Sequence, residues 1–441
     1  MSALQARKPL RKLFSWLFLA FIIIAISQFL VNVLLVKFCD KALVGRFALA
    51  NAITIPIFAF TNLDLDTLQI TDTKNQYEFE DYFNLRLVTS GFALFLSMII
   101  STFVGYSWDI LIVVGLLALL KTLEAISGTL YGLIQKSEKM KTIAILGIVK
   151  SVVSISLLGI ILYLTGNLVL GLISIILFRI IYLFICESPS SLSTVNSYAY
   201  DSLEINNLSP PARINLAKLF NKRWYFQKLF TLTKLALPMG IVTLLVSFNA
   251  NVPRYLIEKY VGEASLGVFA SIASLMMIGD TVLNPLGAST IPRMSRYYAE
   301  GNLKLFWQIL KKLIMIAIVI GAIIMTTCWL FGQPILETIY RKEYGQYIQL
   351  LTVLMLAGSI EDVSSFIGQS ITATRSFQIK MIISATVVTI SALLALWLIP
   401  SQGLNGAAIA ILIGSTIDLG LNGIAIIYVA KKHHKNNLRS T

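Results

Sequence analysis

The run "LFSWLFLAFIIIAISQFLVNVLLV" (Leu13–Val36) contains 24 residues and no charged side chain. A helix needs about 20 predominantly apolar residues to cross the hydrocarbon core of a bilayer. The basic sequence "RKPLRK" (Arg7–Lys12) leads directly into this run, which is too long for the apolar part of a secretory signal. No small-residue cleavage site follows it. We therefore expect the run to be retained as a membrane span.

Similar apolar runs recur along the rest of the chain. Of its 441 residues, 56% are hydrophobic and 13% are charged, whereas about a quarter of the residues of a soluble domain are charged. We predict twelve spans, at residues 13–36, 44–62, 84–104, 110–133, 142–164, 168–186, 235–257, 266–291, 306–330, 347–370, 379–399 and 405–430. Because a lipid-exposed backbone must satisfy its own hydrogen bonds, the fold class is all-α integral membrane.

The distribution of Lys and Arg predicts the orientation of these spans. With the N-terminus inside, 26 of the 36 basic residues fall at the cytoplasmic side, 6 fall outside and 4 lie within spans. Cytoplasmic loops carry the excess of basic residues, so both termini are predicted to be cytoplasmic. The net charge of +14 is then explained by anchoring at the inner leaflet, and nucleic acid is not an expected partner.

The one long connection, residues 187–234, divides the chain into two groups of six spans. We predict an N-terminal lobe (1–186), a cytoplasmic linker (187–234), a C-terminal lobe (235–430) and a basic cytoplasmic tail (431–441). The end of the linker, "RINLAKLFNKRWYFQKLFTLTK" (213–234), alternates basic and apolar residues at helical spacing. It is typical of an amphipathic helix on the inner leaflet; a solvated linker would leave Trp224 and its aromatic neighbours in water.

The two predicted lobes share a faint internal repeat. "NVLLVKFCDKALVGRFALANAI" after Val31 is similar to "NVPRYLIEKYVGEASLGVFASIASL" after Ala250, and Gly-x-Phe-Ala occurs in both, at Gly45–Ala48 and Gly267–Ala270. Both lobes begin inside, so the repeat is parallel. Transporters of this plan place the substrate in a central cavity between the lobes.

An acidic stretch, "TNLDLDTLQITDTKNQYEFEDYFNLRL" (Thr61–Leu87), resembles the connection between the second and third spans of Wzx-type oligosaccharide or O-antigen flippases. The matching residues of this elbow are Asn62, Gln69, Asp72, Tyr82 and Arg86. The stretch 236–273 and "PRMSRYYAEGN" (292–302) also resemble this family. Asp66 stands where the family pattern leads us to expect a basic or neutral residue. We interpret Tyr82, Phe83 and Arg86 as an interfacial anchor that opens the third span.

The resemblance implies the MATE-like fold of the multidrug/oligosaccharidyl-lipid/polysaccharide exporters. It implies a flippase that carries undecaprenyl-diphosphate-linked oligosaccharide across the cytoplasmic membrane by alternating access, in polysaccharide biosynthesis. No cofactor is expected. The implied partners are the lipid-linked oligosaccharide, the bilayer, and the polymerase and chain-length proteins of polysaccharide assembly.

Two other functions stay open, a drug or cation antiporter of the same fold and a membrane polysaccharide polymerase. An enzyme is disfavoured because the predicted spans contain no histidine, and the chain shows no Cys/His metal spacing and no phosphate-binding glycine loop. The external connections are also short for an acceptor site. The tripeptide "DLD" (64–66) is by itself a weak indication of a sugar-transferring metal site, and no metal is predicted.

Charged residues inside the predicted spans are the candidate site, because a charge at the bilayer centre costs roughly 3 kcal/mol or more without a partner or a wet cavity. The cations, Lys121, Lys150, Arg179 and Arg254, are candidate contacts for the substrate diphosphate. The anions, candidates for ion coupling or charge pairing, are Glu124, Asp280, Glu361, Asp362 and Asp418.

Each candidate has an alternative role. Lys121 and Glu124 are three residues apart on one helix face and could neutralise each other. Lys150 and Arg179 have no partner nearby in sequence, so they either meet acids of the C-terminal half or bind the diphosphate. Arg254 either extends to the headgroups or lies at a helix break in "NVPR". Glu361 and Asp362 are adjacent and must face different directions.

Overall fold

The computed structural model describes residues 10–71, 76–136, 139–191, 226–374 and 376–440, and these ranges are helical and connecting segments without a strand. The α-helices are α1 (Leu10–Phe38), α2 (Lys41–Asn62), α3 (Leu65–Thr71), α4 (Phe79–Val104), α5 (Trp108–Lys136), α6 (Met140–Thr165), α7 (Leu168–Tyr182), α8 (Phe226–Val261), α9 (Glu263–Ala273), α10 (Met277–Ala299), α11 (Leu303–Ile339), α12 (Ile348–Ala373) and α13 (Phe377–Ser440). A π-helical turn (Leu183–Glu187) follows α7, and a 3₁₀ turn (Lys342–Tyr347) precedes α12. Most of the linker helix predicted at 213–234 lies outside the described residues.

Nine helices within the described ranges are long and apolar enough to cross a membrane, and the bent pair Gln227–Leu237 and Met239–Val261 makes a tenth. The apolar part of α13, Gln378–Lys431, contains 54 residues and covers the last two predicted spans. Its break is at Gly403, whose φ of 58° is not helical. The all-helical membrane fold is therefore confirmed, with two predicted spans in one long, broken helix.

The predicted span 266–291 is instead divided between α9 and α10. The backbone N–H of Leu275 bonds the Ile272 carbonyl, which is a tighter turn than the α-helix allows. The Ser271 carbonyl accepts the Tyr340 hydroxyl at 2.6 Å and the Ser274 hydroxyl at 2.6 Å. The Ser271 carbonyl, which would accept the next backbone N–H of a continuous helix, thus accepts two hydroxyl groups instead. This explains the helix break, which the apolar composition of the segment did not predict.

Large apolar side chains cover much of the helix surfaces. Phe103, Trp329 and Trp108 are 87%, 83% and 80% exposed. Aromatic side chains this exposed would favour aggregation of a protein in water, but they are the expected surface of a helix in contact with lipid. The surfaces of these helices thus agree with the composition of the spans.

Contacts divide the chain into two compact units. The first contains Met1–Leu34 and Ala50–Ser247, and the second contains Leu35–Leu49 and Phe248–Thr441. The second unit thus includes the end of α1 and the beginning of α2. The predicted lobe boundaries at residues 186 and 235 stay a prediction.

In the second unit the two Gly-x-Phe-Ala segments of the repeat pack against each other. A Cβ atom at Gly45 would overlap the Glu263 carbonyl, and one at Gly267 would overlap the Lys41 carbonyl and lie 2.9 Å from the Gly45 amide nitrogen. The Arg46 Nε lies 2.9 Å from Glu263 Oε2 beside this crossing. The repeated glycines therefore allow the backbones of α2 and α9 to approach closely.

Replacing Gly267 with Ala should destabilise the protein by about 1–3 kcal/mol, because the added methyl group meets backbone atoms that have no freedom to rotate away. The measurement is thermal unfolding in detergent. Gly420→Ala is the matched control, since a Cβ there would meet no atom within 4 Å. Equal melting temperatures for the two variants would contradict the close crossing.

Candidate functional site

The charged residues predicted within the spans of the first unit lie on three helices. On α5, Lys121, Glu124, Ser127 and Tyr131 follow one another at spacings of three or four residues, which places them on one helix face. Helix α6 contributes Lys150, and α7 contributes Arg179. The π-helical turn after α7 ends at Glu187. We call these seven residues the charge ladder.

Glu187 forms the buried end of the ladder, with only 1% of its side chain exposed. The Lys150 ammonium lies 2.9 Å from Oε1. The Tyr131 hydroxyl donates to the same oxygen, and the Ser127 hydroxyl donates to Oε2, each at 2.5 Å. The Lys150 ammonium also lies 4.7 Å from the centre of the Tyr131 ring. Both carboxylate oxygens are therefore satisfied by donors from α5 and α6.

The expectation that Lys150 has no partner in its own half was wrong. Glu187 lies one residue beyond the predicted end of the sixth span, so it was counted with the linker. The helix continues through the π-helical turn, and this brings the carboxylate to Lys150. In the sequence, the partnership of Glu187 with Lys150 would have been found only if the sixth span had been extended by one helical turn.

Glu124 and Arg179 form the open end of the ladder. The Arg179 Nη1 lies 2.5 Å from Glu124 Oε1, with 17% of the arginine side chain and 52% of the glutamate side chain exposed. Lys121 and Lys150 also attract the Glu124 carboxylate. The expectation of an Arg179 without a partner in its own half was therefore also wrong, because α7 packs on α5.

The pairing changes the electrostatics expected of this site. Three predicted cations, Lys121, Lys150 and Arg179, lie with two carboxylates, Glu124 and Glu187. The formal charge of the ladder is thus +1, rather than the +2 given by the in-span residues Lys121, Lys150, Arg179 and Glu124 without Glu187. Positive charge remains in excess, and Glu124 is the more exposed of the two carboxylates.

The elbow is built around Arg86, which is 1% exposed. Its guanidinium donates to Asp66 Oδ1 at 2.7 Å and to Asn62 Oδ1 at 2.7 Å. It also donates to the Asn62 carbonyl and to the Thr129 hydroxyl. The Gln69 amide donates to the Thr129 carbonyl. The structure thus brings together three elbow residues, Asn62, Gln69 and Arg86. The contacts that join them also involve Asp66 and Thr129, which the sequence motif did not identify.

The interpretation of Tyr82, Phe83 and Arg86 as an interfacial anchor was wrong. All three are at least 97% buried. Tyr82 packs in an apolar cluster with Leu63, Leu65, Leu85, Leu229, Leu232 and Ala236. The sequence suggested that Tyr82 and Phe83 lie at the membrane surface, but in the structure both side chains are buried in the first unit. Asp72 lies outside the described residues.

Replacing Arg86 with Lys should destabilise the first unit by about 1–3 kcal/mol, because a single ammonium does not replace the fork that reaches Asp66, Asn62 and Thr129 and leaves buried acceptors unsatisfied. Thermal unfolding and the yield of folded protein in detergent measure this. Arg296→Lys is the control, since Arg296 and Glu300 are 3.8 Å apart and both more than half exposed. A loss for Arg86→Lys no larger than that of the control would contradict the structural role.

The C-terminal acids lie in the second unit. Glu361 is exposed and Asp362 is 7% exposed, which confirms that they face different directions. Asp418 Oδ2 accepts the Ser364 hydroxyl at 2.5 Å, and Ser364 accepts the Asn422 amide at 3.0 Å. Lys380 Nζ lies 3.4 Å from Asn422 Oδ1. Asp280 lies on α10, but its side chain is outside what the structure describes.

Arg254 contacts its own helix. Its Nη1 donates to Asn251 Oδ1 at 3.0 Å, one turn earlier on α8. The break expected at "NVPR" is absent from α8, which is continuous through Pro253. The bend of 50° lies between Leu237 and Met239 instead. The first span of the second half is therefore broken, but near Pro238 rather than at Arg254.

The comparisons with known proteins agree with this fold. Residues 10–298 match the family model described as polysaccharide biosynthesis protein. The chain belongs to the polysaccharide biosynthesis protein family. A relative is the capsular polysaccharide biosynthesis protein CapF of Staphylococcus aureus, which is 27% identical over 411 residues, 92% of this chain and 97% of CapF. These matches confirm the family resemblance carried by the elbow.

Several solved structures of transporters and a flippase share the fold of this protein. The lipid II flippase MurJ in an inward closed conformation matches with a TM-score of 0.70, at 14% identity, over 97% of this chain and 90% of MurJ. An inward-facing MATE family multidrug transporter of the MOP superfamily matches with a TM-score of 0.68, at 14% identity, over 96% of each chain. A MOP superfamily transporter from Pyrococcus furiosus, described as having a binding pocket of reverse polarity, matches at 0.58, with 14% identity over 96% of each chain. At this identity the likeness shows the exporter fold alone.

Proposed function

We propose that this protein is a flippase that moves a lipid-linked oligosaccharide, carried on undecaprenyl diphosphate, across the cytoplasmic membrane for polysaccharide biosynthesis. Its family, its similarity to a capsular polysaccharide biosynthesis protein and its exporter fold support this proposal. The observation that carries it is the open end of the charge ladder. There Arg179 pairs with one half-exposed carboxylate, Glu124, on membrane-spanning helices, and the charges of Lys121 and Lys150 also act on this carboxylate.

A diphosphate is suited to this end of the ladder. Arginine binds phosphate oxygens through two parallel N–H groups, and such charge-assisted bonds are stronger than neutral ones. In the structure the Glu124 carboxylate occupies that place on Arg179. We infer that the diphosphate takes the place of Glu124 beside the cations. Because one anion replaces another, the cations are never left without a negative partner during binding.

The charge surplus also weighs against the antiporter alternative. A cationic drug would have to approach three basic groups, and a carboxylate-rich pocket would serve it better. The polar chain of Asp418, Ser364, Asn422 and Lys380 in the second unit, with Asp280, Glu361 and Asp362, is our proposal for charge pairing or for ion coupling. Arg254 remains a further candidate cation, and transport is proposed to proceed by alternating access without a catalytic group.

Replacing Lys121 or Arg179 singly with Ala should lower export about tenfold or more, because each loses a charged contact to the diphosphate. Lys150→Ala should also lower export, because it removes a positive charge that acts on the same end of the ladder from its position beside Glu187. Surface polysaccharide in a complemented deletion strain measures export, with membrane levels of each variant measured in parallel. Arg179→Lys should be intermediate, since it keeps the charge but loses the fork. Lys312→Ala on the exposed side of α11 is the control.

Unchanged surface polysaccharide in all three Ala variants would exclude the ladder as the substrate site. A deletion strain that keeps its surface polysaccharide but becomes more sensitive to cationic drugs would support the antiporter instead. Accumulation of lipid-linked oligosaccharide with normal polymerase activity would distinguish the flippase from a polymerase.

The proposed orientation places both termini and the elbow on the cytoplasmic side, with the Phe38–Lys41 turn outside. Fusion of alkaline phosphatase after residue 441 should therefore give no activity, while the same enzyme inserted between Asp40 and Lys41 should be active, because it folds only after export. Green fluorescent protein fused after residue 441 should fluoresce. The reverse pattern would contradict the orientation that the 26 cytoplasmic and 6 external basic residues predict.

A further inference from the structure

The two carboxylates of the charge ladder differ in accessibility. Glu187 is 1% exposed, and its two oxygens accept Lys150, Tyr131 and Ser127. Glu124 is 52% exposed and is held by Arg179 at the other end of the ladder. An anion from outside the first unit therefore meets Glu124 and its cations first.

The backbone at Glu187 is adapted to this contact. Residues Leu183–Glu187 form a π-helical turn, and the Ser188 N–H bonds the Leu183 carbonyl five residues before it. A π-helical turn adds one residue to an α-helix and rotates the following side chains by about 100°. Without it, Glu187 would leave the face that α5 and α6 present. The Ser191 hydroxyl bonds the Glu187 carbonyl at 2.7 Å and continues the helix beyond the turn.

Lys150 is the side chain that connects the two ends. Its ammonium is fixed between Glu187 Oε1 and the Tyr131 ring, and only 14% of the side chain is exposed. From this position it also attracts the Glu124 carboxylate. Its charge therefore acts on the open end while its position is set at the buried end.

We propose that the two carboxylates have different roles: Glu124 is an exchangeable stand-in for the substrate's diphosphate, and Glu187 is a positioning residue that stays bound and fixes Lys150. This inference rests on the proposed function, because it names how that site accepts its ligand. It differs from a simple electrostatic site, in which either carboxylate would repel the diphosphate in proportion to its charge. The prediction follows that two substitutions with the same effect on net charge differ in their effect on binding: only the one at Glu124 makes it tighter.

The test compares Glu124→Gln and Glu187→Gln in nanodiscs, with the full chain and with undecaprenyl diphosphate as the probe. Both variants remove one negative charge and keep the shape of the side chain. Glu124→Gln should bind about three- to tenfold more tightly than the original protein, because a competing charge is removed a few ångströms from the ligand. Glu187→Gln should bind no more tightly than the original protein, because Lys150 loses the carboxylate that places it.

A double variant, Lys150→Gln with Glu187→Gln, keeps the net charge and replaces the buried ion pair with two amides that can bond each other. This double variant still tests the inference if the Glu187→Gln protein does not fold. If Lys150 acts on the ligand from its fixed position, the double variant should bind undecaprenyl diphosphate about fivefold or more weakly than the original protein. Binding equal to that of the original protein would mean that the pair serves stability alone.

The outcomes separate this inference from the proposed function. Equal tightening in Glu124→Gln and Glu187→Gln would overturn the division of roles while leaving the diphosphate site in place. An original protein that does not bind undecaprenyl diphosphate at all would contradict the proposed function and the inference with it. Inorganic diphosphate is the second probe: the same order of affinities with it would assign the effect to the diphosphate group, and an order reversed between the probes would overturn the stand-in role of Glu124.

Discussion

The ion pair between Glu187 and Lys150 illustrates the constraint on which this molecule depends: a charge within a membrane span needs a partner. Burying a carboxylate or an ammonium alone in apolar surroundings costs several kcal/mol, and the cost falls only when the opposite charge and further hydrogen bonds replace water. Here three helices supply those groups, so the pair also joins α5, α6 and the end of α7. Arg86 obeys the same constraint at the elbow, where Asp66, Asn62 and Thr129 replace its water.

These charge pairs differ in how exposed their carboxylates are, and this difference links the structure to the proposed transport. At the buried end of the ladder, removal of either partner would leave an uncompensated charge, so the pair behaves as part of the scaffold. At the open end, the carboxylate is half exposed and is held by its ion pair with Arg179. In the proposed mechanism, a diphosphate that enters this end exchanges with the carboxylate while the scaffold stays intact.

The fold itself does not decide the substrate. The same exporter fold occurs in a lipid II flippase and in multidrug transporters at 14% identity, so the chemistry is set by the side chains that line each site. In this chain the first unit presents a basic surplus, and the second unit presents a polar chain through Asp418 and Lys380. That distribution suits an anionic headgroup on a lipid carrier better than a cationic solute.

Hydrophobicity alone determined the membrane class and the helical fold, because the length of a span and the need to satisfy its backbone are local properties of the chain. The elbow residues also allowed the family to be predicted. The sequence did not show the break between α9 and α10, because it depends on hydroxyl groups that reach the Ser271 carbonyl, one of them from Tyr340. It also missed Glu187, since one additional residue in a helical turn decides whether that carboxylate belongs to the linker or to the ladder. Only the tertiary structure decided which charges are paired: Lys150 and Glu187 are distant along the chain, and their contact exists only where α6 and the end of α7 pack together.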